Sequence, residues 1–224
     1  NRRSRGLGDV YKRQRQHNAT QFFESFSEAS KSTYYLFVGK ATAYTSGTTG
    51  GSDSSPPTPS DSPTDTEFYA WDSMLAAKNV TSSDITYAIP RRAWANGTTY
   101  DMYDDNISSS STTTSGASNL YDSTFYFMTS DYRVYKVLDN NGGTAYSGSE
   151  PTSESNDPFE LGGYVLKYMY KITASEAAKY LTSDFIPVSD DSTVSAAAVD
   201  GKIESVKVTA GTGYTNGTVS YTHL

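Results

Sequence analysis

The sharpest alternation in the chain lies in "GGYVLKYMYKI" (162–172). Tyr164, Leu166, Tyr168 and Tyr170 fall on one side of a two-residue repeat. Val165, Lys167, Met169 and Lys171 fall on the other, which predicts a half-buried strand. Upstream, "STFYFMTSDYRVYKVLDNNGG" predicts strands over Phe125–Met128 and Arg133–Leu138, joined by the turn-forming "TSDY" and closed by a second turn at "DNNGG". "TYYLFVGK" (33–40) is β-branched and aromatic and predicts another strand. "SSDITYAIPRR" predicts a strand that Pro90 ends or places at a sheet edge. "VDGKIESVKVTAGTGYTNG" reads as strand and glycine turn, the start of a further β module.

Three segments carry helical spacing instead. In "HNATQFFESFSEASKS" (17–32), Phe22, Phe23 and Phe26 share a face, and Asn18 or Thr20 can cap the start. In "TDTEFYAWDSMLAAKNV" (64–80), Thr64 and Glu67 have capping-box spacing, and Phe68, Trp71, Met74, Leu75 and Lys78 follow at helical intervals. Thr173 and Glu176 have the same box spacing ahead of a short helix in "ITASEAAKYLTSDFIPV". Between these elements, residues 45–64 and 107–118 are rich in Ser and Thr, the first also in Gly and Pro, and read as polar loops. The flanks of "PPTP" are acidic, which argues against a proline ligand needing basic neighbours. The expected fold class is therefore mainly β with short helices (α+β), a β-sandwich-like core with helical and loop excursions.

The two ends do not follow this patterning. "NRRSRGLGDVYKRQ" has no apolar period, and it and "VSYTHL" resemble translated sequencing-adapter sequence. The expected organisation is then adapter-like residues 1–14, a β-rich domain over 15–190, the start of a truncated β module over 191–218, and adapter-like residues 219–224. On that reading the chain is a fragment of a longer protein. The ends also alter the charge. The whole chain carries −7, but without its first 14 residues it holds 13 basic and 24 acidic residues, a net charge of −11. An acidic chain is repelled by a phosphate backbone, so nucleic acid is not an expected partner.

Composition narrows the chemistry further. There is no cysteine, which excludes disulfides, thiol nucleophiles and thiolate metal sites. The only histidines are His17 and His223, so a histidine-based triad has no candidate base in the body of the chain. No run of about 18 apolar residues predicts a membrane-spanning helix. Nineteen tyrosines, in a chain 36% hydrophobic and 13% aromatic, point to a packed protein rich in amphipathic rings.

The candidate sites are few. Asp101, Asp104 and Asp105 could gather a hard cation, but the full loop pattern is missing, and a solvated acidic turn is the expectation. Asp139 to Glu150 has the length of a calcium loop, but Thr144 stands where glycine is required. Glu154, Asp157 and Glu160 would suit a carboxylate glycosidase only at a separation that sequence does not give. Five N-x-S/T sites, at Asn18, Asn79, Asn96, Asn106 and Asn216, barely exceed what a Ser/Thr-rich chain yields by chance. No metal or cofactor is expected.

The densest stretch is "IPRRAWANGTTYDMYDD" (89–105). Together with the "PPTP" loop, "VTSSD", and "FYFMTSDYRVYK", it resembles a baseplate wedge subunit of T-even-like contractile-tailed phages, in the form found in cyanophages, over about Gln21 to Val188. The resemblance implies a non-catalytic, cofactor-free β-sandwich protein. It also implies a homodimer, assembled with other wedge subunits in the host cytoplasm and carried in the virion's tail baseplate, with no nucleic-acid, membrane or small-molecule partner. Arg91 and Arg92 are then candidates for ion pairs within the subunit or across an interface. Trp94 is the expected apolar anchor, with Tyr100 and Tyr103 buried beside it, and Asn96-Gly97 makes a tight turn. The alternative is a secreted or surface β-rich module binding carbohydrate or protein, since Tyr and Trp on strand faces suit sugars as well. Trp94→Ala is expected to cost about 3 kcal/mol if the indole is buried. An unchanged melting temperature together with unchanged assembly would remove Trp94 from both roles.

Overall fold

A computed structural model of the chain describes residues 2–27, 33–39, 52, 54, 55 and 74–199. The chain divides into two compact units, Asn1–Thr86 and Tyr87–Leu224. The antiparallel strands and short helices make it a mainly β, α+β protein, as the patterning implies.

In the first unit, helix α1 runs over Arg2–Ser25. It starts well before the expected caps and passes through Asn18 and Thr20, which therefore lie inside it. Phe22 and Phe26 meet edge to face at 5.2 Å, and Phe26 stacks on Tyr34 at 4.4 Å. Strand β1 (Tyr34–Gly39) pairs antiparallel with β2 (Met74–Val80), in the register Tyr34↔Val80 and Leu36↔Lys78. This corrects the helix expected over 64–80: its described part, Met74–Val80, is a strand. Ala76, Ala77 and Lys78 favour helix, but propensity is a weak preference, and β1 supplies a complete row of backbone partners. Thr64–Ser73, the rest of that segment, lies outside the described residues, as does the β module expected over 191–218 from residue 200 onward; its described start holds a short helix at Ser192–Ala197.

The second unit is built on an antiparallel sheet in the order β4 (Tyr126–Met128), β5 (Arg133–Asp139), β7 (Tyr164–Lys171), β6 (Phe159–Leu161). A separate two-stranded ribbon joins β3 (Ala88–Pro90) to β8 (Phe185–Pro187). Pro90 closes its strand, as its missing N–H requires. The expected turns form at "TSDY", where Thr129 Oγ1 accepts from Arg133 N at 3.0 Å, and at Asn141–Gly143. Helix α2 (Ala174–Tyr180) opens on the expected box: Thr173 Oγ1 accepts from Glu176 N, and the Glu176 carboxylate accepts from Thr173 N. A last short helix, α3 (Ser192–Ala197), is capped by Asp191.

Two cores cover the two faces of this sheet. On one face lie Phe127, Tyr135, Val137, Tyr164, Leu166 and Tyr168, joined by Tyr100 and Tyr146 from the loops. On the other lie Tyr126, Met128, Val134, Tyr170 and Ile172 with Ile186 of β8, and α2 adds Ala177. The strand β7 buries all four residues of its expected face, but Tyr170 leaves the others for the second core. The register shows why. Val134 faces Tyr170 while its neighbour Tyr135 faces Tyr168, so Met169 is an extra residue and the alternation inverts beyond it.

Nearly every buried tyrosine hydroxyl ends on a backbone carbonyl, in a loop or at the end of a strand. Tyr135 donates to Ser153 O at 2.8 Å, Tyr146 to Ser149 O at 2.9 Å, Tyr164 to Thr144 O at 2.7 Å and Tyr126 to Pro90 O at 2.6 Å. Burial pushes the phenols of Tyr126, Tyr135 and Tyr146 up to about 12, so they remain donors across ordinary pH. Gly162, at φ +63°, sits where an added Cβ would lie 2.5 Å from the Tyr146 ring. Only glycine satisfies both the turn and the packing there.

Asp101 is the polar counterpart. Its carboxylate is 0% exposed and accepts four hydrogen bonds: from Ser115 N at 2.8 Å, Ser115 Oγ at 2.7 Å, Ser123 Oγ at 2.9 Å and Thr124 N at 2.9 Å. This corrects the solvated acidic turn at Asp101. A carboxylate offers about four acceptor positions, and here the Ser/Thr loop and the approach to β4 occupy them. Burial alone would raise its pKa, but the bonds from Ser115, Thr124 and Ser123 outweigh that and hold it below 3.8.

Two outcomes follow from this packing. Tyr164→Phe is expected to lower the unfolding free energy in urea by about 1–3 kcal/mol, because it strands the Tyr100 N–H and the Thr144 carbonyl. Asp101→Asn puts an amide donor among donors and is expected to cost about 3 kcal/mol at neutral pH. The folded pKa of Asp101 is depressed, so its contribution is full above 3.8 and is lost as pH falls through the folded value. Melting curves of wild type and Asp101→Asn should therefore converge as pH drops below that value. A constant gap would assign the loss to packing instead.

Candidate assembly surface

The stretch between β3 and Tyr103 crosses from one sheet to the other. Arg91 N donates to Asp184 O at 2.7 Å, extending the β3–β8 ladder by one bond. Met128 N then donates to Arg92 O at 2.7 Å and Trp94 N to Met128 O at 2.8 Å, so Arg92–Trp94 lies along β4 as a short parallel addition. Gly97, at φ +80°, completes the expected Asn96-Gly97 turn, and its N–H donates to Tyr146 O at 2.9 Å. Backbone bonds thus set most of this path.

The two arginines brace carbonyls. Arg91 Nη1 donates to Thr182 O at 3.0 Å, and Arg92 Nη2 to Tyr121 O at 3.2 Å and Asp122 O at 3.1 Å. These bonds stand where ion pairs within the subunit were expected. Arg92 Nε is shielded from water without a partner among the described residues, and so is Trp94 Nε1. Trp94 packs at the rim of the first core, edge-on to Tyr146 at 5.9 Å. Tyr100 lies inside that core and hydrogen-bonds through its hydroxyl to the Ala95 N–H at 2.7 Å. Tyr103 leaves this group and faces the other side of the sheet, 5.2 Å from Phe125. Asp104 and Asp105 hold Asn106 and stay apart from Asp101's hydrogen bonds. Among the described residues, no group of three or more His, Cys, Asp or Glu could hold a metal ion. Glu154 is engaged by Arg133 Nε at 2.7 Å.

Tyr103 points to a feature absent from the sequence reading. Lys136 Nζ sits 3.6 Å over its ring. Lys136 is half-buried on the second-core face of β5, directly opposite Lys167 of β7. Burial, and then the charge of Lys167, lower its pKa. Beside it opens a groove of about 280 Å³, lined by Ile89 and Pro90 of β3, by Tyr121 and Phe125, and by Val134 and Met169. The alternation of β5 and β7 marks Lys136, Lys167 and Met169 as one face, but the groove needs β3 and the loop before β4 to wall it. In the first unit, the β1–β2 ribbon exposes apolar side chains on both of its faces: Tyr35 (65% exposed) and Phe37 project to one side of β1, Leu36 (63%) and Val38 to the other, and Leu75 of β2 is exposed as well. Neither surface resembles a catalytic cleft, and both are of the kind that partners cover.

Comparison with known proteins agrees with this. Residues 9–150 match the family model described as bacteriophage T4, Gp8. The match takes in the Arg91–Tyr103 stretch, β1 to β5, and the end of the segment set aside as adapter-like, residues 9–14. No curated protein matches the chain. The match spans more than half of the chain and supports the baseplate reading over that of a secreted or surface module binding carbohydrate or protein. The chain belongs to the bacteriophage T4 Gp8 family, structural components of the tail baseplate wedge that are assembled in the host cell and carried in the virion.

Proposed function

We propose that the chain is a non-catalytic, homodimeric wedge subunit, and that the β1–β2 ribbon is where two copies meet. The ribbon carries this reading. Tyr35, Leu36, Phe37, Val38 and Leu75 stay exposed on a ribbon of two strands. A two-stranded ribbon is marginal in water without something to pack against. Burying these side chains would contribute about 1.5–3 kcal/mol each. Among the described residues the ribbon has only these two strands, so its edges also offer backbone groups to another strand.

The non-catalytic role is supported by the residue inventory. Cysteine is absent and the two histidines stand near the ends of the sequence. The buried and paired carboxylates hold structure: Asp101 gathers its loop, Glu176 caps α2, and Glu154 pairs with Arg133. Trp94, Arg91 and Arg92 act chiefly in shaping the surface that other wedge subunits meet.

Light scattering on the full chain at ~20 µM, well above a micromolar dimer constant, tests the ribbon. Wild type is expected to be a dimer, and the double variant Leu36→Asp, Phe37→Asp a monomer whose second unit melts as before. A double variant that stays dimeric would move the dimer surface elsewhere, and a monomeric wild type would end the homodimer reading.

A further inference from the structure

We propose that the groove between β3 and the second-core face of β4, β5 and β7 receives an extended segment of another wedge protein, one that presents a carboxylate to Lys136 between apolar side chains. The inference rests on the assembly role above and adds the place and chemistry of one contact. Three observations carry it.

The first is the position of Lys136. Its ammonium sits over the Tyr103 ring, half-buried, and faces Lys167 across the strand pair. Like charges directly opposite on a sheet are destabilising, and burying a charge adds to that. Among the described residues, no aspartate or glutamate lines the groove. A subunit selected only for its own stability would carry Met or Leu at 136. A partner's carboxylate would supply the missing negative charge, in a setting where water screens it poorly.

The second is that the walls are set in place beforehand. The Tyr126 hydroxyl holds Pro90 O at 2.6 Å. The Arg92 guanidinium grips the carbonyls of Tyr121 and Asp122 and so fixes the rim. Tyr121 projects from that rim with 63% of its surface exposed. A preformed groove loses little freedom on binding, and a rigid aromatic at its edge is a common anchor.

The third is the contrast with the rest of the molecule. The chain carries a net charge of −7, so its surface as a whole disfavours acidic partners. A positive floor inside an apolar groove then sets the register of one acidic residue, with Ile89, Phe125 and Met169 receiving its apolar neighbours.

The test uses the full chain, co-expressed with the other wedge proteins of the same phage. A photo-crosslinking residue replaces Tyr121, and the crosslinked peptide is mapped by mass spectrometry. It is expected to come from another wedge protein and to contain Asp or Glu among apolar residues. Lys136→Met is expected to weaken wedge association at least about tenfold while leaving the melting temperature unchanged or raised, and Lys136→Arg to stay within about threefold of wild type. A merely structural lysine would give the opposite pattern, lower stability with association intact. Lys136→Glu should be rescued by Lys in place of the mapped partner acid. Crosslinks confined to a second copy, crosslinks to a segment without an acid, or wild-type association by Lys136→Met would each overturn the proposal and leave the wedge role standing. A wild-type chain that joins no wedge complex would overturn both.

Discussion

The phenol of tyrosine does two things in this fold, and most of the second unit depends on their combination. The ring fills the space on either face of the four-stranded sheet, and the hydroxyl, at the far end, reaches a backbone carbonyl in a loop or at the end of a neighbouring strand. Tyr135, Tyr146 and Tyr164 bind Ser153, Ser149 and Thr144 in this way on one face, and Tyr126 and Tyr170 bind Pro90 and Pro187 on the other. Each bond contributes little net free energy, but each would be expensive to leave unmade. A leucine or phenylalanine core of the same volume would pack the sheet and release the loops. This gives a physical account of why a chain with long polar connections carries 19 tyrosines.

Where tyrosine does not reach, Asp101 takes over. Its four accepted bonds draw Ser115, Ser123 and Thr124 to one point, so a low-complexity Ser/Thr stretch takes a definite course. Neutral donors arranged around one carboxylate keep it charged at a depth where an unpaired charge would be prohibitive. Lys136 has no such arrangement on the opposite face: an aromatic ring beneath it and a lysine across from it. The molecule thus treats one buried charge as part of its own structure and leaves another for company.

That contrast fits a subunit whose work is assembly. A wedge component is made in one state and acts in another, so parts of its surface must tolerate exposure before they are covered. The β1–β2 ribbon and the groove at Lys136 differ in kind. One is a two-stranded ribbon with apolar side chains exposed on both faces, suited to a like partner, and the other is narrow, preformed and charged at its floor, suited to a particular segment. Braces such as Arg92 hold the second in shape through carbonyls, which water can satisfy only from outside.

Much of this was readable along the chain. The two-residue repeat of β7, the β-rich composition of β5, the box at Thr173 and Glu176, the turns at "TSDY" and Asn96-Gly97, and the edge role of Pro90 all rest on forces acting between near neighbours. The family motifs were equally legible, because they are strings of residues. Other features were set only in three dimensions. Met74–Val80 is a strand because β1 offers it backbone partners from nearly forty residues away. Tyr170 changes sides because one residue bulges against β5. Asp101 looked like a surface acid because its donors lie 14 to 23 positions further on. Arg92 found carbonyls where acids were expected, and Lys136 became a site only when β3 and the Tyr121 loop closed around it. Periodicity and turn chemistry are short-range and survive in sequence. Pairing partner, bulge and the surroundings of a single charge depend on segments that meet only after the chain has folded.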